Sequence, residues 1–239
     1  DLRNSQRNVR HHQMISAIHN AQTGIEAIDR GIEQLMETGY MHNHLRMYVA
    51  ALATNIGQSH WKIPAQWMYY HLLDGDWASN NLSWQWVAGS NSSKKYIANQ
   101  ENINKYCKTN QRNTYLDCSY EVLAKIEVPE ELKATEELEL KTSLPQTQNP
   151  ILHPDQAVLV YNYYNLDPQW MKETEANRIL LLEPSVFETY PVSEKALSFA
   201  LELSQNIENI QVFVGEFSDL EALSQNQEIH YKEHPLNSK

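Results

Sequence analysis

The chain has 239 residues, of which 41% are hydrophobic, and it includes six Trp and thirteen Tyr. This length and composition suffice for one large or two modest globular domains with an apolar core. No run reaches the roughly 18–20 apolar residues that a membrane-spanning helix needs, and the polar, basic N-terminus lacks the apolar stretch of a secretory signal. We therefore expect a soluble, cytoplasmic protein without a membrane partner.

The net charge of −11 is distributed unevenly along the chain. Residues 1–120 hold 11 Lys and Arg against 9 Asp and Glu, a net charge of +2, whereas residues 121–239 hold 8 against 21, a net charge of −13. The acidity therefore belongs to the second half. Residues 1–120 could still form a local phosphate-binding face, although their net charge of +2 is small compared with the basic stripe of a typical DNA-binding protein.

Apolar residues recur at helical spacing between Thr23 and about Leu73. Gly39 separates two such stripes and predicts the end of the first helix, and Pro64 fits the first turn of a helix that runs to Leu72. We predict packed helices over residues 1–120. The two stripes comprise Ile25, Ile28, Ile32 and Leu35, and then Leu45, Tyr48, Val49 and Leu52.

The second half of the chain has a different pattern. Residues 121–150 are Glu-rich and interrupted by Pro, which predicts an extended acidic linker. Beyond it, strands alternating with a helix indicate βαβ units, so we predict a smaller α/β, Rossmann-like segment with a mostly parallel sheet over residues 151–239. The strand-length apolar runs are 157–161, 178–183, 210–214 and 228–232, and the helical spacing covers 193–206.

The side chains most able to bind a ligand or take part in a reaction lie between Thr23 and Cys107. They comprise Arg46 on an amphipathic stripe, the carboxylates of Asp74 and Asp76, and the amides and indoles of Asn80, Asn81, Trp84 and Trp86. An unpaired charge in a low-dielectric interior is costly, so a buried Arg and Asp are expected to pair. From the pattern alone, a structural ion pair within a helical core is the favoured interpretation of this cluster, and a functional site is the alternative.

The same stretch resembles the FAD-binding domain of the photolyase/cryptochrome family. That family carries TG(W/Y)MHNxxRM, a Trp upstream of DGD, and DGDxAxNxxxWQW in this order, and the present chain reads TGYMHNHLRM at 38–47 and DGDWASNNLSWQW at 74–86. The resemblance covers about a third of the chain. It implies a mainly α-helical, partial photolyase FAD-binding domain at residues 1–120, with FAD as the cofactor.

The resemblance assigns the cofactor contacts residue by residue. Arg46 and Asp74 match the salt bridge beside the isoalloxazine ring, and Asp76 matches the carboxylate at the polar edge of the flavin. Asn80 matches the position that faces flavin N5, where a neutral amide adapts to either protonation state. An Asp there would oppose an anionic reduced flavin, so Asn80 favours a photolyase-like redox setting. Asn43 is a further candidate for cofactor binding.

Other residues match the substrate side of repair enzymes. Asn43, Met47 and Trp86 match positions that line the cavity for a flipped pyrimidine dimer. His44 stands where repair enzymes usually carry Arg, and it is a weaker phosphate clamp. Taken alone, Met47 and Trp86 at helical spacing are more typical of ordinary core packing, and Asn43 is consistent with a surface or capping position.

Two tryptophans match the chain that reduces photoexcited flavin. Trp84 and Trp61 match its proximal and middle members, although a lone Trp such as Trp61 is also typical of core packing. The distal position falls near Asn8, and no Trp precedes Trp61. Photoreduction would therefore end early or use a Tyr.

The sequence predicts no metal site and no iron–sulfur cluster. Cys107 and Cys118 are too few for a disulfide framework, so reduced thiols are expected. The segment from Lys94 to Cys107 is similar to iron–sulfur photolyase relatives, but Asn110 stands where a second cysteine of that set would fall. The spacing of the histidines forms no convincing ligand set.

The family's upstream elements are missing from this sequence, including its diphosphate-binding Ser/Thr loop. Because the chain starts at Asp1, we expect the remaining pocket wall to come from elsewhere in the same protein or from another chain. The α/β segment resembles, more weakly, the antenna domain of photolyases in permuted order, and no antenna pigment is assigned.

Three functions remain open from the sequence. The first is a photolyase-like enzyme that uses reduced FAD and blue light to split pyrimidine dimers in UV-damaged DNA. The second is a cryptochrome-like flavin photoreceptor with the acidic second half as its docking element. The third is a flavin-binding protein without photochemistry.

Overall fold

The computed structural model describes residues 6–234 and divides the chain after Glu139 into two compact units. The helices of the first unit are α1 (Ser16–His19), α2 (Glu26–Thr38), α3 (Asn43–Ala51), α4 (Lys62–His71), α5 (Trp77–Ala88), α6 (Gln100–Cys107) and α7 (Tyr120–Leu123). Strands β1 (Met14–Ile15) and β2 (Thr135–Glu136) pair in antiparallel fashion, with Met14 opposite Glu136. No helix between residues 6 and 234 is long and apolar enough to cross a membrane.

The two predicted apolar stripes lie on α2 and α3 and face one core. Ile25, the N-cap residue of α2, is fully buried, as are Ile32 and Leu35 on α2 itself, and on α3 Tyr48 and Val49 are at most 1% exposed. This arrangement confirms the helical interpretation of the spacing. Apolar residues three and four positions apart share a helix face, and that face is removed from water when the helices pack.

A π-helical turn, Leu52–Ile56, continues α3 and fixes the position of α5. All five of its residues are buried. The Asn55 amide donates to the carbonyl oxygens of Val87 (2.9 Å) and Tyr96 (2.8 Å), at the end of α5 and in the segment after it. This side chain therefore joins the end of α3 to the end of α5, and single π turns often occur at functional sites.

The stretch 121–150, interpreted from its sequence as an acidic linker, is divided between the two units. Residues 121–139 belong to the first unit and include the 3₁₀ turn Glu130–Leu132 and strand β2. Three apolar side chains of this part, Leu123, Val128 and Leu132, are buried in the core of the first unit. Residues 140–150 belong to the second unit and contain no regular element.

The second unit contains a four-stranded parallel sheet with the strand order β5-β4-β3-β6. Its strands are β3 (Ala157–Tyr161), β4 (Ala176–Leu182), β5 (Gln211–Val214) and β6 (Ile229–Tyr231), and its helices are α8 (Pro184–Thr189), α9 (Glu194–Ser204) and α10 (Phe217–Leu223). The predicted parallel sheet is confirmed, with strand limits shifted by at most two residues. The apolar runs are continuous because parallel strands are covered on both faces.

The end of α2 provides a test of the backbone geometry in the first unit. Gly39 has φ of +73°, and a Cβ there would lie 2.5 Å from Cγ of Leu73 and 3.2 Å from the carbonyl oxygen of His71. Gly24 has a similar φ of +77°, but nothing lies within 4 Å of a Cβ placed there. Gly24→Ala should lower the free energy of unfolding by about 1 kcal/mol through backbone strain alone.

Gly39→Ala should lower the free energy of unfolding by about 1–3 kcal/mol more than Gly24→Ala does, because overlap with packed groups adds to the strain. Urea denaturation followed by Trp fluorescence measures this difference, since five of the six tryptophans lie in the first unit. Equal losses in the two variants would contradict the close approach of Leu73 to Gly39.

Candidate functional site

An ion pair joins α3 to the turn between α4 and α5. Nη2 of Arg46 donates to both carboxylate oxygens of Asp74, each at 2.9 Å, and Nε donates to the carbonyl oxygen of Met41 at 2.8 Å. The Arg46 side chain is 23% exposed and that of Asp74 is 59% exposed. The guanidinium is therefore held at two points, and one edge of the pair remains open to water.

The start of α5 is capped by a second carboxylate. Oδ1 of Asp76 accepts a hydrogen bond from the backbone N–H of Ser79 at 2.7 Å, which makes Asp76 the N-cap of α5. One turn later, Nδ2 of Asn80 donates to the carbonyl oxygen of Ala65 on α4 at 2.8 Å. With its N–H group committed in this way, Asn80 has its amide oxygen as an acceptor for a further partner.

These side chains surround one cavity of about 610 Å³. It is lined by the predicted cofactor residues Asn43, Arg46, Asp74, Asp76 and Asn80, and by Met47, Trp84 and Trp86. The structure thus brings together eight of the ten predicted site residues, which come from α3, α5 and the turn before α5. The roles assigned to the individual residues remain predictions.

The walls of the cavity combine apolar and polar surface. Met68, Leu72 and Val87 are buried beneath it, and Trp84 is only 2% exposed, whereas Trp86 is 47% exposed. Trp84 therefore belongs to the inner wall and Trp86 to the rim. A cavity with apolar walls and a few positioned polar groups is typical of small-molecule and cofactor sites.

An aromatic array behind the rim was not predicted as part of the site. The ring of Tyr96 lies 5.9 Å from that of Trp86 and stacks with Tyr48 at 6.5 Å, and the Tyr48 hydroxyl donates to Oδ1 of Asn102 at 2.9 Å. Burial raises the pKa of both tyrosines, so both phenols stay neutral at physiological pH. The sequence signalled Tyr48 only as a core residue.

Two predicted residues, His44 and Trp61, do not line this cavity. His44 is exposed and stacks with Tyr106, with the ring centroids 5.1 Å apart. Trp61 is half-buried at the start of α4, and its indole Nε1 is buried without a hydrogen-bond partner among the described residues. Asn8, near the predicted distal position, is exposed.

The histidines and cysteines lie apart from the cavity. Within residues 6–234, no three His, Cys, Asp or Glu side chains converge as a set of metal ligands. Cys107 and Cys118 are partly buried free thiols, and burial raises the pKa of each. The raised pKa keeps both thiols protonated at neutral pH.

Comparison with known proteins gives one family match. The model of the FAD binding domain of DNA photolyase matches residues 1–144. A deoxyribodipyrimidine photo-lyase of a Synechococcus species is 42% identical over 82 residues, which cover 34% of this chain and 17% of that protein. One from Vibrio cholerae is 41% identical over 68 residues, which cover 28% of this chain and 14% of that protein.

Two solved structures are also similar. An archaeal photolyase from Sulfolobus tokodaii with two FAD molecules gives a TM-score of 0.37 at 28% identity, covering 39% of this chain and 22% of that one. A bacterial class III photolyase from Agrobacterium tumefaciens gives a TM-score of 0.36 at 34% identity, covering 38% of this chain and 20% of that one. The chain thus matches less than a quarter of the length of each of these relatives.

The capping contact of Asp76 predicts separate consequences for two substitutions. Asp76→Ala removes the acceptor for the Ser79 N–H and should lower the free energy of unfolding by about 1 kcal/mol. Asp76→Asn retains a capping oxygen and should change the stability by only a few tenths of a kcal/mol. Thermal and urea denaturation of both variants measure the difference, and similar losses would show that the charge of Asp76, and not the cap, stabilises α5.

Proposed function

The chain belongs to the DNA photolyase family through its FAD-binding domain, and we propose that it binds FAD and is a photolyase-like enzyme that repairs pyrimidine dimers in DNA. The named relatives are deoxyribodipyrimidine photo-lyases, which supports this reaction as the first candidate. The observation that carries the proposal is the single cavity shared by Arg46, Asp74 and Asn80.

The residues around the cavity fit the isoalloxazine ring of FAD. A flavin has two apolar ring faces and a polar edge, and the cavity offers apolar walls together with the charged and amide groups of Arg46, Asp76 and Asn80. When bound in its reduced form, FAD supplies the electron that blue light transfers to a cyclobutane dimer, whose ring then splits before the electron returns.

The ion pair orients the ring without adding net charge to the site. Arg46 is fixed by the Met41 carbonyl oxygen as well as by Asp74, so its guanidinium has little freedom to turn. Asn80 is fixed by Ala65 and offers its amide oxygen to a protonated N5. A neutral amide at this position does not repel the negative charge of the reduced ring, as a carboxylate would.

The lesion would bind at the outer part of the same cavity. Met47 and the exposed face of Trp86 form the surface for a flipped pyrimidine dimer, and Asn43 adds a polar contact. Trp84, in the inner wall, is the proposed first donor in photoreduction, with Trp61 as the second. His44, exposed and stacked on Tyr106, takes the place of the family's Arg as a weaker contact to phosphate.

A flavin photoreceptor is the second candidate, and it is favoured by the weakened substrate side, where His44 replaces the phosphate-binding Arg of repair enzymes. In this alternative the same cavity binds FAD, and its photoreduction alters an interaction surface. For the second unit, we propose a relation to the α/β domain of photolyases in permuted order.

Anaerobic illumination with a dimer-containing oligonucleotide tests the proposal. The protein, loaded with FAD and chemically reduced, should restore the ultraviolet absorbance of the thymines under blue light. Bleaching of oxidised flavin without repair would instead support the photoreceptor. Absence of flavin binding in a direct titration would exclude both functions.

Arg46→Ala is the matched variant for this assay, because it removes the fixed cation beside the ring. It should weaken FAD binding about tenfold or more, equivalent to about 1.4 kcal/mol. Trp86→Phe should leave FAD binding unchanged but lower repair, since Trp86 lies at the rim. An equal effect of both variants on flavin affinity would contradict the division into an inner and an outer part.

Asn80 provides a test of the redox setting. Asn80→Asp places a carboxylate near N5 and should lower the flavin reduction potential, by about 30 mV for every ~1.4 kcal/mol of added repulsion. Ala78→Asp puts the same charge on an exposed position of α5 that does not line the cavity, so it controls for charge alone. Spectroelectrochemical titration measures the flavin reduction potential of both variants. Equal potentials in Asn80→Asp and Ala78→Asp would show that Asn80 lies away from the ring.

A further inference from the structure

Two histidine rings lie beside Trp61, the proposed second electron donor. The centroid of the His60 ring is 5.6 Å from that of Trp61, with the rings tilted by 32°, and the ring of His12 stacks on His60 at 4.7 Å. Trp61 precedes the first turn of α4 and packs against the core cluster that contains Trp84. A charge on the pair His12 and His60 therefore acts on the indole of Trp61.

Hydrogen bonds hold His60 in place and favour its neutral form. Nδ1 of His60 accepts from the backbone N–H of Lys62 at 3.3 Å, so the neutral ring carries its proton at Nε2. A second proton would have to bind at Nδ1 and displace the Lys62 N–H. The backbone N–H of His60 donates to the carbonyl oxygen of His11 at 2.9 Å. The backbone N–H of Trp61 donates to Oε1 of Gln6 at 2.9 Å, so the donor is fixed as well.

The surroundings of the pair also favour the neutral form of His60. Burial lowers the pKa of His60, and the charges of His12 and Lys62 lower it further. Burial likewise lowers the pKa of His11, whose carbonyl oxygen holds the His60 backbone. Of these four groups, only the histidines change charge between about pH 5 and about pH 8. Acidification therefore adds positive charge beside Trp61.

The oxidised form of Trp61 would itself be positively charged. Nε1 of Trp61 is buried and has no hydrogen-bond partner within residues 6–234, so no neighbouring group there accepts its proton. An indole that loses an electron and keeps its N–H proton carries a positive charge. The ring of His60, at 5.6 Å, lies within the screening length of about 8 Å at physiological salt. A protonated His60 would therefore repel the oxidised ring of Trp61.

We propose that His12 and His60 form a histidine gate on electron transfer, which permits the oxidation of Trp61 when the pair is neutral and opposes it when the pair is protonated. The inference rests on the proposed function and adds control of its second electron donor. The electron that photoexcited flavin gains leaves Trp84, and an electron from Trp61 replaces it. One electron is thus lost by Trp61 and no bond is broken, and a thiol reductant in solution later returns an electron to Trp61.

Tryptophan fluorescence of the flavin-free chain tests the contact between His60 and Trp61. A protonated imidazole beside an indole quenches its emission, because it accepts an electron from the excited ring. Each protein is compared with its Trp61→Phe derivative, since His71 lies 5.6 Å from Trp67 and is also placed to quench. The emission due to Trp61 should fall from about pH 8 to about pH 5 and stay constant in His60→Asn. A pH-independent emission of Trp61 in the wild-type chain would overturn the proposal.

Photoreduction of bound, oxidised FAD measures the effect on electron transfer. In the wild-type chain its rate should fall about tenfold over the same pH range, because of the repulsion between charges on His60 and Trp61. His60→Asn keeps an acceptor for the Lys62 N–H but does not titrate, so it should remove most of this fall. Loss of photoreduction at every pH in His60→Asn would show that the ring itself is required and would contradict a gate based on charge.

His12→Asn provides a further test of the pair. Because the charge of His12 lowers the pKa of His60, its removal should shift the midpoint of the pH dependence to higher pH. His153→Gln is the matched control, since His153 belongs to the second unit, and it should leave the midpoint unchanged. An unchanged midpoint in His12→Asn, or an equal shift in His153→Gln, would refute the assignment of the gate to this pair.

Repair by chemically reduced FAD separates this inference from the proposed function, because it needs no electron from Trp61. Repair should follow the same pH profile in the wild-type chain and in His60→Asn, and a difference would place the effect of His60 outside the gate and overturn it. Repair accompanied by photoreduction that does not change with pH would refute the gate and leave the proposed function intact. If bound FAD is not photoreduced at any pH, the donor role of Trp61 is refuted, and the gate with it.

Discussion

The ion pair between Arg46 and Asp74 joins the elements that enclose the candidate flavin cavity. It connects α3 to the turn before α5, and the contact of Arg46 with the Met41 carbonyl oxygen extends the link to the segment before α3. Because Asp74 is 59% exposed, water screens the attraction, and exposed pairs contribute at most about 1 kcal/mol to stability. The main effect of the ion pair is therefore to fix the position of the Arg46 guanidinium at the cavity and not to stabilise the fold.

The opposite end of α5 is fixed by hydrogen bonds without charge. Asn55, in the buried π-helical turn after α3, donates to carbonyl groups of Val87 and Tyr96. A buried amide whose partners were removed would cost about 1–3 kcal/mol, so these bonds strongly favour one position of α5. With one end held by Asp74 and Asp76 and the other by Asn55, α5 keeps Asn80 and Trp84 at fixed points of the wall.

Particular residues show how far the sequence predicted this arrangement. The burial of Ile25, Ile32 and Leu35 followed from helical spacing, because periodicity is a local property of the chain. The grouping of Arg46, Asp74 and Asn80 at one cavity followed from the family resemblance, since nothing in their spacing requires that they meet. Even the resemblance did not find the stacked pair of Tyr48 and Tyr96 behind the rim of the cavity, whose rings meet only after the helices pack.

The π turn and the core residues of 121–139 were not predictable for a related reason. Asn55 contacts carbonyl groups 32 and 41 residues away, and such partners exist only after the helices pack. Leu123, Val128 and Leu132 are separated by Glu and Pro residues and lack a regular period, so the stretch resembles a solvated linker. Their burial is decided by the apolar surface that the helices offer, which the local pattern does not contain.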